Sequence, residues 1–167
     1  LGFDRAVRLG PYRDRLRDAV LLAKFLPGEA LADYLGRLFA ENRGSAIRAA
    51  GIDLVVPVPL HWWRRWGRGY NQAEAVAREL AAGLGIAFDP HALRRVRWTT
   101  QQVQPTREAR RENVKAAFRV RSRARVTGRT VLLVDDVMTT GSTLGEAARA
   151  LRAGGADRVV AAVLARK

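Results

Sequence analysis

Hydrophobic residues in this chain recur in two distinct patterns. Tyr12, Leu16, Ala19, Val20 and Ala23 stand three and four apart, which predicts a helix ending near Pro27-Gly28. Leu31, Leu35, Leu38 and Phe39 keep that period and predict a second helix to about Asn42. Ala73, Val76, Ala77, Leu80 and Leu84 mark a third, ended by Gly83 and Gly85. Leu144, Ala147, Ala148 and Leu151 give the inward side of a fourth over 143–153, closed by Gly154-Gly155. Between the helices lie short unbroken apolar runs, at 53–58 (DLVVPV), 130–134 and 159–164. Runs rich in β-branched residues suit strands buried on both faces of a parallel sheet. Residues 3–9 (FDRAVRL) predict a short edge strand before the Gly10-Pro11 turn. The stretch 86–96 is ambiguous, with a strand around 92–96; 99–105 reads as loop, and Thr106 as the N-cap of a polar helix over 107–118. Together these elements predict an α/β fold with a largely parallel sheet flanked by helices. Residues 1–50 would form a helical N-terminal lobe packed on a core of residues 51–167.

Composition narrows the class. With 167 residues and 48% apolar content, the chain suits a single domain with one buried core. Its apolar runs are too short for a transmembrane helix, and the start LGFDRAVRLG lacks the blocks of a signal peptide. Membrane insertion is therefore not expected, and the cytoplasm is the expected location. There is no cysteine, which excludes disulfides and thiolate metal sites. His61 and His91 are read as structural or surface residues, so any metal would be a hard cation bound through oxygen, such as magnesium carried by a phosphate substrate.

Charge changes the picture further. Thirty basic residues face sixteen acidic ones, for a net +14. From Arg94 to Arg129 there are 12 basic residues against two acids, Glu108 and Glu112. Arg64, Arg65 and Arg68 form a second, smaller cluster among Trp62, Trp63 and Trp66. Two readings stay open: an arginine-rich solvated face, or a surface for polyanions such as phosphorylated substrates and nucleic acid.

The most informative stretch is VLLVDDVMTTGSTLGEA, residues 131–147. An apolar strand runs into Asp135 and Asp136, a loop of Met138 to Ser142 follows, and a helix begins near Thr143. In parallel α/β sheets ligands bind where strands end and helices begin. A helix N-terminus offers free N–H groups and partial positive charge to a phosphate, and Thr139, Thr140, Ser142 and Thr143 add hydroxyls around Gly141. Carboxylates suit a different group: they accept from vicinal hydroxyls, as at a ribose. The stretch therefore predicts ribose hydroxyls over Asp135 and Asp136 and a 5′-phosphate on the loop. It contains no lysine and no G-x-G-x-x-G, so neither a Walker A loop nor a dinucleotide fingerprint fits.

VLLVDDVMTTGST closely resembles the phosphoribosyl-pyrophosphate (PRPP) motif of type I phosphoribosyltransferases, in which the acids contact the ribose hydroxyls and the loop holds the 5′-phosphate. Two further stretches, DLVVPVPLHWWRRWGRGYNQAE and WTTQQVQPTREARRENVKAAF, resemble the ComF/GntX branch, which is linked to DNA uptake competence. The matching positions are Pro57 to Leu60, Arg68 to Gln72, and Thr99, Gln102, Thr106, Arg110, Asn113 and Phe118; Lys24-Phe25 fits a helix-end position. The resemblance implies a type I phosphoribosyltransferase-like fold with a basic flexible loop. It implies a pyrophosphate loop at Val58, Pro59 and Leu60, with Arg64, Arg65, Arg68, Asn71, Gln72, Gln102, Arg110 and Asn113 in the basic, flexible-loop group. It implies PRPP or a nucleotide monophosphate as ligand, with Mg2+ arriving through the substrate and touching Asp135 and Asp136 through water. The implied activity is phosphoribosyl transfer. The alternative is a non-catalytic factor that keeps the fold and binds single-stranded DNA, with competence or DNA-processing proteins as partners. Many members begin with a four-cysteine zinc module, and with no cysteine no zinc is expected in this chain.

Overall fold

The computed structural model describes residues 2–25, 27–60, 69–97 and 114–167. Five strands form one parallel sheet: β1 (Arg5–Pro11), β2 (Leu54–Pro57), β3 (Ala87–Phe88), β6 (Thr130–Met138) and β7 (Arg158–Arg166), in the order β1-β7-β6-β2-β3. A separate antiparallel pair, β4 (Leu93–Arg95) and β5 (Phe118–Val120), stands beside it. The helices are α1 (Asp14–Leu22), α2 (Glu29–Arg48), α3 (Gln72–Leu84) and α4 (Ser142–Ala153). No described helix is long and apolar enough to cross a membrane.

The apolar runs form parallel strands because both faces of the sheet are covered. Val55, Leu132, Val134, Val160, Ala162 and Leu164 point into a core built with α1, α2 and α3. Their neighbours Leu54, Val56, Val131, Leu133, Val159, Ala161 and Val163 point into a second core with α4 and the β4–β5 pair. One residue of register shift would exchange the two sets, so alternate apolar positions fix the register in both layers. Each parallel step between neighbours, β2 to β3 and β6 to β7, is made through a helix, α3 and α4 respectively. At the far edge β1 is pinned to β7 by Asp4, which accepts the Val159 N–H at 2.9 Å and, through both oxygens, Arg152 Nη2 at 2.6 and 2.7 Å. That N–H, with Arg152 behind it, holds the Asp4 carboxyl below its ordinary value of 3.8.

Several elements differ in extent from the periodicity. α2 runs to Arg48 instead of stopping near Asn42. Its last turns look polar in sequence, but Ile47 is fully buried and the arginines clamp carbonyls of neighbouring elements: Arg43 reaches Arg8 at 3.2 Å, and Arg48 reaches Gly83 at 3.3 Å. β6 continues four residues past Val134, because β7 is long enough to pair with it as far as Met138 opposite Arg166. The two aspartates therefore lie inside a strand, and the helix after the loop starts at Ser142. Phe118, expected at a helix end, is in β5, opposite Arg95. The rest of the predicted 107–118 helix, up to residue 113, lies outside the described residues, as do Thr99 and Thr106.

Candidate functional site

The carboxyl edge of the sheet is where β6 outlasts its neighbour. Pro57 is level with Val134, and the last tie between the two strands is Val58 N–H to the Val134 carbonyl at 2.8 Å. Beyond that rung β6 is held by β7 alone, with Asp135 opposite Val163. The acids thus sit on ordered backbone while one flank opens toward residues 58–60. Asp136 lies beside Lys24, which follows α1, and Asp135 lies near enough to Arg95 of β4 to feel its charge.

Each carboxylate uses one oxygen to fix itself. Asp135 Oδ1 accepts the Asp136 N–H at 2.9 Å, and Asp136 Oδ1 accepts the Val137 N–H at 2.6 Å. Asp136 Oδ2 faces Lys24 Nζ at 3.8 Å, both side chains about three-quarters buried. Burial, followed by the adjacent Asp136 charge, pushes the Asp135 carboxyl well above its ordinary 3.8; the Asp136 N–H and the Arg95 charge act the other way without cancelling the rise. The oxygens left over on the two acids can accept from a vicinal diol.

The loop beyond β6 turns directly into α4. Gly141 is buried in the left-handed region, φ 75, a conformation that strains any residue with a Cβ. Thr140 Oγ1 lies 2.8 Å from Ser142 Oγ and accepts the Ser142 N–H at 3.4 Å. Ser142 and Thr143 begin the helix half-buried, while Thr139 is exposed. First-turn N–H groups have no partner inside a helix, and the helix dipole favours an anion there. The rim is also basic: Lys167 N–H holds the Met138 carbonyl at 3.1 Å, and its Nζ lies 4.8 Å over the Tyr12 ring.

Across the open flank stand Val58, Pro59 and Leu60. A loop that holds a diphosphate through its backbone does so with free N–H groups. Val58 has given its own to Val134 and Pro59 has none, so only Leu60 can offer one. The loop is braced by Asn71, whose Nδ2 donates to the Val58 carbonyl at 3.2 Å while its Oδ1 caps α3 at the Ala73 N–H, 3.2 Å. Asn71 and Gln72, grouped in sequence with the basic loop, are in fact buried at the start of α3. Gln72 Nε2 donates to the Val20 carbonyl at 3.1 Å, and the Tyr70 hydroxyl donates to the Ala23 carbonyl, so both grip the end of α1.

Arg64, Arg65, Arg68, Gln102, Arg110 and Asn113 lie outside the described residues, with His61 and the tryptophans 62, 63 and 66. The described ends of the 94–129 basic stretch are anchored. Arg95 lies 5.3 Å over the Phe118 ring, and Ala116 N–H donates to Glu146 Oε1 of α4 at 2.7 Å. No group of three or more His, Asp or Glu positioned for a metal ion occurs among the described residues. Lys24 and Arg95 are the charged neighbours of the acids that the sequence did not assign to the site. A signal for Lys24 was present: the chain uses arginine 27 times and lysine three times.

Known proteins resemble this chain in sequence and fold. Residues 67–167 match the phosphoribosyl transferase domain family. DNA utilization protein YhgH of Salmonella typhi is 37% identical over 160 residues, covering 94% of this chain and 70% of that protein. Competence protein F of Haemophilus influenzae is 35% identical over 168 residues, covering 98% of this chain and 73% of that protein. Among solved structures, glutamine PRPP amidotransferase from B. subtilis, complexed with ADP and GMP, superposes with a TM-score of 0.56 over 81% of this chain and 26% of its own, at 23% identity, a likeness of fold. With more than half its length in the matched domain and nearly all of it aligned with each of these two relatives, the chain belongs to the phosphoribosyltransferase family, in the ComF branch that includes competence protein F.

Proposed function

We propose that this chain binds PRPP, seating its ribose 5-phosphate unit along the end of β6, and transfers the phosphoribosyl group to a nucleophilic acceptor. The observation that carries the reading is the continuity of β6 through Asp135 and Asp136 into the left-handed Gly141 and the first turn of α4. Hydroxyl acceptors and an anion site then lie on one rigid strand-to-helix unit, in the order that a ribose 5-phosphate presents diol and phosphate. Family membership supports the transfer. In it the bond from the anomeric carbon to diphosphate breaks, the acceptor's lone pair forms the new bond, and the electron pair leaves with diphosphate. Asp135 and Asp136 orient the ribose and are not nucleophiles.

Magnesium fits this donor set on one condition. The carboxylates are hard oxygen ligands, but two acids without a third make no complete cage. The phosphate oxygens of the ligand would supply most of the coordination, with Asp135 and Asp136 reaching it through water. When bound, the ion would neutralise the departing diphosphate.

Calorimetric titration with PRPP and magnesium tests the reading. The native chain is expected to give a saturable heat, lost in Asp135→Asn/Asp136→Asn while the thermal transition persists. No heat from the native chain, or equal heat from the double variant, would sink it.

A second reading has its own support, the net charge of +14 together with relatives named for DNA utilization and competence. On this reading the chain binds single-stranded DNA in the service of DNA uptake, alongside competence or DNA-processing proteins. Fluorescence anisotropy with a labelled oligonucleotide should then show binding that weakens by roughly tenfold or more between about 50 and 200 mM salt. It should weaken again when Arg110 and Arg111 are neutralised. Salt-insensitive or absent binding rejects this reading and leaves the first untouched.

A further inference from the structure

We infer that Lys24 is a ligand-binding residue that receives the anomeric diphosphate, and that Gln72 is a positioning residue for it. The inference rests on the PRPP reading above and concerns a different part of the ligand. Asp136 Oδ2 and Lys24 Nζ are 3.8 Å apart, each side chain about one-quarter exposed, so the ammonium stands at the edge of the site, within reach of solvent. It arrives there on α1, which packs on β7 and α2 and ends against the start of α3.

Three successive residues of α3's entry fix that ending. Tyr70 holds the Ala23 carbonyl, Gln72 holds the Val20 carbonyl, and Asn71, between them, holds the Val58 carbonyl. One short segment thereby clamps the helix end carrying Lys24 and the loop carrying Leu60. The helix end and the loop together therefore form one flank of the candidate site, with Lys24 beside Asp136. The anion loop at Thr139 to Thr143 lies past the end of β6, where Met138 is joined to the chain end after β7. A ribose 5-phosphate placed with its phosphate on that loop and its hydroxyls over the acids turns its anomeric substituent toward the Lys24 and Leu60 flank. That substituent is a diphosphate, and of the groups on this flank Lys24 brings the charge to meet it.

Residue choice supports the same role. In a chain with 27 arginines, a lysine at this position supplies a compact, mobile point charge in place of a rigid fork. Gln72 has a buried Oε1 with no hydrogen-bond partner among the described residues, so its contribution here is the single bond from Nε2 to Val20.

The test compares two probes, PRPP and ribose 5-phosphate, each titrated with magnesium into the native chain and two variants. Lys24→Met is expected to weaken PRPP about tenfold or more, the effect of removing one charge-assisted contact, and to move ribose 5-phosphate by less than about twofold. Gln72→Met, which conserves volume, should shift the ratio of the two affinities in the same direction, and should shift it no further in the Lys24→Met background. An unchanged ratio in Lys24→Met overturns the inference while the PRPP reading stands. Equal weakening of both probes also overturns it, since Lys24 would then merely support Asp136. A native chain that binds neither probe overturns the inference together with the reading beneath it.

Discussion

At the scale of single residues, the candidate site stores a conflict between two like charges. Asp135 and Asp136 are adjacent, and burial with the neighbouring charge raises the Asp135 carboxyl well above 3.8. A carboxyl raised in the fold binds its proton more tightly there than in the unfolded chain. Asp135 therefore weighs against the fold above its raised value, and the penalty fades as pH falls toward 3.8. Asp135→Asn should accordingly melt at a higher temperature than the native chain at pH 8, with the difference closing on acidification; a lower melting temperature at pH 8 would contradict the assignment. Asp4 has the opposite sign, because its lowered carboxyl contributes stability above 3.8 that is lost as pH falls through its folded value. Asn71 is structural in both of its bonds, so Asn71→Ala should cost about 1–3 kcal/mol in urea unfolding, from a lost helix cap and an unpaired buried carbonyl. The paired acids and the loop after them were legible in sequence because strand, acids, loop and helix are contiguous. Lys24 was not assigned there, because its partner lies more than a hundred residues away and no periodicity records such a meeting.

At the scale of elements, close approaches decide what the helices can do. A Cβ on Gly36 of α2 would meet the Val76 carbonyl of α3 at 2.7 Å, so the two helices cross at a point where only glycine fits. Gly36→Ala should destabilise the fold by about 1–3 kcal/mol through that backbone clash, without selectively weakening either ligand. Gly141→Ala should behave differently. Its left-handed backbone carries a cost of about 1–2 kcal/mol for a residue with a Cβ, and the distortion falls on the turn that starts α4. Ribose 5-phosphate binding should weaken along with stability, and binding unchanged in a destabilised variant would move the phosphate elsewhere. Helix and strand identities were read correctly where one apolar face repeats. Ends were misjudged where tertiary partners extend an element, as β7 does for β6 and as carbonyls of other elements do for the polar last turns of α2. Of the antiparallel pair, the strand around 92–96 was read from the sequence as β4, but its partner at 118–120 was not, being three residues joined to it across a long separation.

At the scale of the molecule, five parallel strands carry their C-terminal ends to one edge, and α1 brings Lys24 from the N-terminal part of the chain to the same place. The parallel sheet was legible because its three central strands are apolar on both faces. The edge pairing of β1 with β7 was not, since β1 has no fully buried residue and meets a strand at the other end of the sequence. The site is therefore a property of topology as much as of motif, and a ligand should span several elements of it. A crystal structure with ribose 5-phosphate bound tests that claim most directly. The phosphate is expected on the N–H groups at Gly141 to Thr143, the vicinal hydroxyls on Asp135 and Asp136, and the anomeric carbon turned toward Lys24 and Leu60. A sugar phosphate bound away from the end of β6, or seated there with its phosphate toward Lys24, would contradict it.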